Sequence, residues 1–226
     1  QPVYVNGTNF GPVTISNASV ESPSNQVNAS YQNSHLLHLS GNLYRAFNCR
    51  VVIPHVQILC YSVAGVGYRQ LWRVVVGLQE SRADNDDANV TSSYLTPVIE
   101  HIQTGSLATL DSAGGDQVTL RGSNFGPANE RNVVNASYQD LRNGASASLD
   151  GLEFWAVQCR IQIAHVEAVC MTVPGVGTQN KWQIIVGFQR SARSLDNTSY
   201  AAPILSRLMA GEHDVYYAFT NIDEPY

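Results

Sequence analysis

Apolar residues along this chain recur at every second position in short stretches that Gly, Pro and Asn interrupt, and no stretch holds a helical period over a useful length. In Trp72-Arg73-Val74-Val75-Val76 the residues Trp72, Val74 and Val76 fall on one side, against Arg73 and Val75. Trp182, Ile184 and Val186 stand in the same way against Gln183 and Ile185. Alternation of this kind predicts half-buried strands with each tryptophan facing a core. The segment from Cys49 to Cys60 reads as a hairpin centred between Pro54 and His55, which sets the two cysteines opposite each other and within disulfide reach. That register puts Cys49, Val51, Ile53, Val56, Ile58 and Cys60 on an inward face, with Arg50 and Gln57 outside. The same reading of the later segment turns Cys159, Ile161, Ile163, Val166, Ala168 and Cys170 inward and Arg160, Gln162 and Glu167 outward.

The two hairpins belong to an internal repeat. Gly7-Thr8-Asn9-Phe10-Gly11-Pro12 returns as Gly122-Ser123-Asn124-Phe125-Gly126-Pro127, and Asn28 to Gln32 return as Asn135 to Gln139. His55-Val56 answers His165-Val166, and Val63-Ala64-Gly65-Val66-Gly67 answers Val173-Pro174-Gly175-Val176-Gly177. Val76-Gly77 with Gln79 matches Val186-Gly187 with Gln189, and Tyr94 with Pro97 matches Tyr200 with Pro203. The order of landmarks is preserved while their spacing shortens, so the length differences lie in loops.

These landmarks together resemble the IPT/TIG domain, an immunoglobulin-like fold of plexins, related receptors and other cell-surface proteins. The second unit carries nearly all of that pattern: Pro97-Val98-Ile99, then Gly114-Gly115-Asp116-Gln117-Val118-Thr119-Leu120-Arg121-Gly122-Ser123-Asn124-Phe125-Gly126, the cysteines, and Pro174-Gly175-Val176-Gly177. The first unit has Ala64 where the turn proline is expected. The expectation is an all-β chain of two tandem immunoglobulin-like β-sandwiches, residues 1–96 and 97–202, with a tail over 203–226. Gln1 to Gly7 align with the second unit's Gln117 to Gly122 region, so the first sandwich is expected to lack the leading edge strand that Pro97 to Gln103 supplies to the second. Pro203-Ile204-Leu205-Ser206-Arg207-Leu208-Met209 aligns with that leading strand and is expected to serve a further sandwich.

Composition narrows the functional classes. Charged residues make up 14% and the net charge is −5, which leaves no basic footprint for nucleic acid. No apolar run approaches the roughly 18 residues of a membrane-spanning helix, and the first residues lack the pattern of a signal peptide. The expectation is a soluble chain, without membrane insertion, whose targeting segment has been removed. Cys49, Cys60, Cys159 and Cys170 in two equally spaced pairs point to disulfides and an oxidising compartment rather than to zinc, which more typically uses shorter spacings with histidines nearby. N-glycosylation sequons begin at Asn6, Asn17, Asn28, Asn89, Asn135 and Asn197, those at Asn28 and Asn135 within the repeated Asn-Ala-Ser-Tyr-Gln string.

No motif for catalysis, metal or cofactor accompanies the Ser, His and Asp residues present. His55 and His165 are expected at exposed hairpin tips, and His35 and His38 in a loop. Asp84-Asn85-Asp86-Asp87 offers oxygens to calcium but lacks the spacing of a calcium loop, and its counterpart contains Arg193-Ser194-Leu195-Asp196. Gly65-Val66-Gly67 and Gly175-Val176-Gly177 sit between strands, where a turn is expected rather than a nucleotide cradle. Arg50 and Arg160 face outward as solubilising charge or as a repeated contact.

The expected role is non-enzymatic: an extracellular structural or adhesive glycoprotein, with copies meeting head to tail and Pro203, Ile204, Leu205, Leu208, Tyr216, Tyr217 and Phe219 at the contact between subunits. The other readings are a stretch of a receptor or adhesion ectodomain binding a protein or glycan, a DNA-binding module, and an accessory domain of a carbohydrate-active enzyme. Acidic charge, sequons and paired cysteines oppose the DNA-binding reading.

Overall fold

The computed structural model describes residues 1–13, 26–33, 43–81, 91–105, 109–129, 132–140 and 153–207, together with the backbone of Met209–Ala210 and His213–Asp214. Every helical or strand element among them is a β-strand. The first eight are β1 (Pro2–Asn6), β2 (Val27–Asn33), β3 (Tyr44–Arg45), β4 (Phe47–Ile53), β5 (Gln57–Tyr61), β6 (Gln70–Val76), β7 (Gln79–Glu80) and β8 (Thr91–Ser92). They form two antiparallel sheets, β1-β5-β4 and β3-β2-β6-β7 with β8 beside β6. The next nine are β9 (Val98–Thr104), β10 (Gln117–Ser123), β11 (Val134–Asp140), β12 (Phe154–Trp155), β13 (Val157–Ile163), β14 (Glu167–Met171), β15 (Asn180–Val186), β16 (Gln189–Arg190) and β17 (Asn197–Thr198). They form β13-β14-β10-β9 and β12-β11-β15-β16, with β17 beside β15. Beyond them β18 (Met209–Ala210) pairs with β19 (His213–Asp214) in a small hairpin.

Each pair of sheets closes over its own core, as inward-facing alternate residues require. In the first sandwich Val51, Ile58 and Cys60 meet Val27, Ala29, Tyr31, Trp72 and Val74. In the second Val118, Leu120, Ala168 and Cys170 meet Val134, Ala136, Tyr138, Trp182, Ile184 and Val186. Trp72 and Trp182 face inward as the alternation predicts, each stacked on a tyrosine of the neighbouring strand: Tyr31 on Trp72 at 4.4 Å between centroids, Tyr138 on Trp182 at 4.2 Å. Their indole N–H groups donate to Ser92 Oγ at 2.8 Å and Thr198 Oγ1 at 2.9 Å, which satisfies the one polar atom each ring carries into the core.

A second tyrosine closes each core. The Tyr94 hydroxyl donates to the Val63 carbonyl at 2.8 Å and lies 2.9 Å from the Tyr31 hydroxyl. Tyr200 repeats this with the Val173 carbonyl at 2.6 Å and the Tyr138 hydroxyl at 2.7 Å. Burial, reinforced by the neighbouring phenol, holds the Tyr94 and Tyr200 hydroxyls far above the ordinary tyrosine range.

The disulfides form as the hairpin register predicts, Cys49 to Cys60 and Cys159 to Cys170, with 4.1 Å between Cα atoms in each. Arg50 and Arg160 point outward. The inward face does not reach the hairpin tips, however. Ile53, Val56, Ile163 and Val166 are about half exposed, where the alternation places them in the core. The turn holds three residues, Pro54-His55-Val56, rather than two; His55 is left-handed at φ 64° and the register shifts between Val51 and Ile53. His165, at φ 66°, does the same in the second copy. The extra turn residue changes the phase, so the tip leaves the core and is tied instead to the Gly11 or Gly126 loop. His55 N–H donates to Gly11 O and His165 N–H to Gly126 O, both at 2.7 Å.

The two sandwiches differ at one edge. β10 lies between β14 and β9, whereas its counterpart β1 pairs with β5 alone among the described residues. The first sandwich thus has a three-stranded sheet where the second has four strands, as the alignment predicts. In the second sandwich the leading strand β9 carries core with it. Ile99 on β9 and Leu110 in the following loop are buried in the second core, and Val118 and Leu120 are fully covered. Their counterparts Val3 and Val5 are only partly buried.

Candidate functional site

Three features stand at the ends of the sandwiches: the open edge of β1, the exposed segment after Tyr200, and the joint between the two units.

At the open edge, Gln1 O accepts from Ser62 N–H and Gly7 N–H donates to Val56 O, so the odd-numbered residues of β1 bond toward β5. Hydrogen bonds alternate in an antiparallel strand, which aims the backbone groups of Tyr4 and Asn6 at the open side. In the second sandwich the corresponding residues, Thr119 and Arg121, face Gln103 and His101 of β9. Gly122 marks where the leading strand crosses closest, since a Cβ there would stand 1.8 Å from Val98 O. Gly7 holds the equivalent place and already needs its small size, because a Cβ would meet the Phe10 ring at 2.5 Å.

The segment that aligns with the leading strand is fully outside. Residues 201–207 form no strand, and Ile204 and Leu205 are 90% and 96% exposed. Pro203 is exposed as well. Leu208, Tyr216, Tyr217 and Phe219, also expected at a subunit contact, lie outside the described residues.

The joint is the feature that strand periodicity did not reveal. The Gly65-Val66-Gly67 turn, between β5 and β6, seats on a bed of glycines in the second sandwich. A Cβ on Gly126 would stand 2.0 Å from Val66 Cγ1, and one on Gly187 would stand 2.6 Å from Gly67 N. Gln70 Nε2 donates to Val66 O at 3.1 Å and steadies the turn from within. Gln189 Nε2 donates to Tyr94 O at 3.0 Å across the joint. A cleft of about 180 Å³ opens beside it, lined by Tyr44, Val66, Asn135, Gly187 and Phe188 among others. The bed comes from a two-residue hairpin turn, Gly187-Phe188, in which both residues have positive φ, 55° and 67°. A bulky residue rarely occupies that region, yet Phe188 adopts it and lines the cleft while staying 63% exposed. The pairing of Gly77 with Gly187 and of Gln79 with Gln189 was visible in the repeat, but no periodic signal ties a turn to a bed in another unit.

A scan against models of known protein families and a search of curated proteins return no match. Among the sequons, Asn6, Asn28, Asn135 and Asn197 are exposed, and Asn6 Oδ1 accepts from Gln57 Nε2 at 2.8 Å. Asn17 and Asn89 lie outside the described residues, as do His35, His38 and Asp84 to Asp87. His55 and His165 occupy exposed tips as expected. Among the described residues no group of three or more His, Cys, Asp or Glu could hold a metal. No described helix is long and apolar enough to cross a membrane. Arg193 and Asp196, the counterparts of the acidic run, have structural roles: Arg193 pairs with Glu153 at 3.0 Å, and Asp196 Oδ2 accepts from Ile102 N–H at 2.9 Å.

Proposed function

We propose that this chain is a non-enzymatic structural or adhesive part of an extracellular glycoprotein, a repeating subunit of a filament or surface coat whose copies complete one another by strand donation. The observation that carries the reading is the contrast between β1, open on one side, and β10, covered by β9, together with an exposed segment that repeats the leading-strand sequence. An open strand edge with a half-covered core beside it gains from an added strand through backbone hydrogen bonds and apolar burial. Transferring the β9-to-β10 register to the aligned residues sets Leu205 opposite Gly7, Ile204 opposite Thr8 and Arg207 opposite Asn6. Two disulfides and exposed sequons support an oxidising, extracellular setting. The IPT/TIG resemblance supports a spacer or interaction module and names no partner.

Deletion of Pro203 to Tyr226 tests the reading. Loss of self-association in sedimentation velocity, with a lower melting transition for the first sandwich, is expected. Unchanged assembly and melting would refute strand donation by the tail.

A second reading, a stretch of a receptor or adhesion ectodomain that binds a protein or glycan, is favoured by β9 itself, because there the leading strand comes from the polypeptide just before the sandwich it completes. Intact mass of the native polypeptide separates the two. A mass far above that of 226 residues would replace non-covalent donation by donation along one chain.

A further inference from the structure

The joint is present once as a contact, and each of its halves recurs once more with no partner shown among the described residues. Val66 and Gly67 are the inserted turn; Gly126, Gly187, Phe188 and Gln189 are the bed that receives it. In the second sandwich the turn recurs as Val176-Gly177, with Val176 67% exposed and no described residue within 4 Å of a Cβ on Gly177. In the first sandwich the bed recurs as Gly11, Gly77, Leu78 and Gln79. Gly11 has φ 81°, against 79° at Gly126, and no described residue stands where Val66 meets Gly126. Gly77-Leu78 makes the same doubly left-handed turn as Gly187-Phe188, at 56° and 65°. Leu78 is 91% exposed.

We infer that the first sandwich carries a second copy of this socket, and that its occupant is the Val176-Gly177 turn of another copy of the chain. Resting on the strand-donation reading, the inference names the surface that brings the two copies into register. The bed is a backbone feature that a partner's turn enters without burying the side chain at its rim: Phe188 stays 63% exposed in the occupied joint, and Leu78 stands at the same place. The internal joint shows the form of that partner, and the matching backbone angles show that the bed is already shaped. Connectivity adds a third coincidence. In the internal joint, Tyr94 accepts from Gln189 and the chain then runs through Pro97 directly into the leading strand on β10. Seating Val176 between Gly11 and Gly77 in the same way brings Tyr200 O to Gln79 and delivers Pro203 and Ile204 to the open edge of β1. One docking pose satisfies the turn, the glutamine and the strand. Because turn and socket lie on different sandwiches, the contact is heterologous and propagates as a chain of copies unless it closes into a ring.

The test uses the whole 226-residue chain. Val176→Asp removes the inserted turn and Leu78→Glu blocks the socket; both sites are exposed, and unchanged melting confirms that folding is intact. Sedimentation velocity over a concentration series is expected to show self-association at least tenfold weaker for each variant alone. Mixed together, they keep one good turn and one good socket between them, and the expected product is a one-to-one dimer that grows no further. Association of either variant at the wild-type level overturns the inference, and so does a mixture that stays monomeric. If deletion of 203–226 abolishes association while Val176→Asp leaves it intact, strand donation stands and the socket fails. If the deletion leaves it intact while Val176→Asp abolishes it, the socket stands and strand donation fails. A wild-type chain that is monomeric at every concentration overturns both.

Discussion

The worth of a leading strand can be measured inside the molecule, on the sandwich that has one. Ile99 sits on β9, is 7% exposed, and packs into the second core beside Val118 and Leu120. Ile99→Ala removes every carbon beyond Cβ from a site whose neighbours are held by two sheets and collapse only partly. Large-to-small changes of this kind cost about 2–5 kcal/mol, and about 3 kcal/mol is expected here. A sandwich of roughly 100 residues loses about 4–8 °C per kcal/mol, so the predicted fall is on the order of 12–24 °C. Differential scanning calorimetry reads this directly if the two sandwiches melt separately, with the less covered first one lower. The Cys49→Ser/Cys60→Ser variant identifies the first transition, because it removes a disulfide from that sandwich alone. The expected result is an upper transition that drops toward the lower one while the lower one stays in place. A drop of less than about 3 °C, or one in the other transition, would refute the reasoning that the leading strand supplies core rather than merely covering an edge. It would also remove the physical motive for strand addition to β1, since Leu205 aligns with Ile99.

Other expectations follow from the same contacts. Gly126→Ala and Gly11→Ala carry the same left-handed backbone cost, on the order of 1–2 kcal/mol, but only the first drives a Cβ into Val66; urea denaturation should show Gly126→Ala as the more damaging, and equal losses would mean the joint contributes nothing. Reduction of Cys159–Cys170, whose cysteines are separated by 11 residues, should destabilise the second sandwich by about 3 kcal/mol in the chain-entropy model, read from calorimetry with and without a reductant. The phenols of Tyr44, Tyr94, Tyr138 and Tyr200 are all raised from 10.0, chiefly by burial. A raised folded-state value means that their contribution is fully present below pH 10 and is lost above it, as the unfolded chain ionises first. The unfolding free energy from urea denaturation should therefore fall steeply above pH 10, by up to about 1.4 kcal/mol per pH unit for each tyrosine, and Tyr200→Phe should lessen that slope while costing about 1–3 kcal/mol at neutral pH by leaving Tyr138 with one partner fewer.

Much of the architecture was legible in the chain because it is written in local alternation and then written again. The inward-facing Trp72 and Trp182, both disulfides and the difference between the β1 and β10 edges could be read because a strand's side chains change face at every residue and a repeat sets the two units side by side. The reading failed at Ile53, Val56, Ile163 and Val166, where one additional turn residue in the left-handed conformation breaks the two-residue period. Alternation carries no information about the length of the turn that interrupts it.

The candidate site was legible only in part for a related reason. Pro203, Ile204 and Leu205 could be matched to a strand by sequence, and the structure leaves them exposed. Gly126, Gly187 and Val66 could be recognised as repeated, but not as touching. A glycine kept for its conformation and a glycine kept so that another unit can approach look the same along the chain. What the sequence by itself determined was the all-β class, the faces buried away from the hairpin tips, and the difference between the two units at one edge, because alternation depends on neighbours a few residues away and a repeat sets one unit against the other. What only the tertiary structure decided was which turn fills which bed, because van der Waals contact between distant segments depends on positions in space that no local pattern encodes.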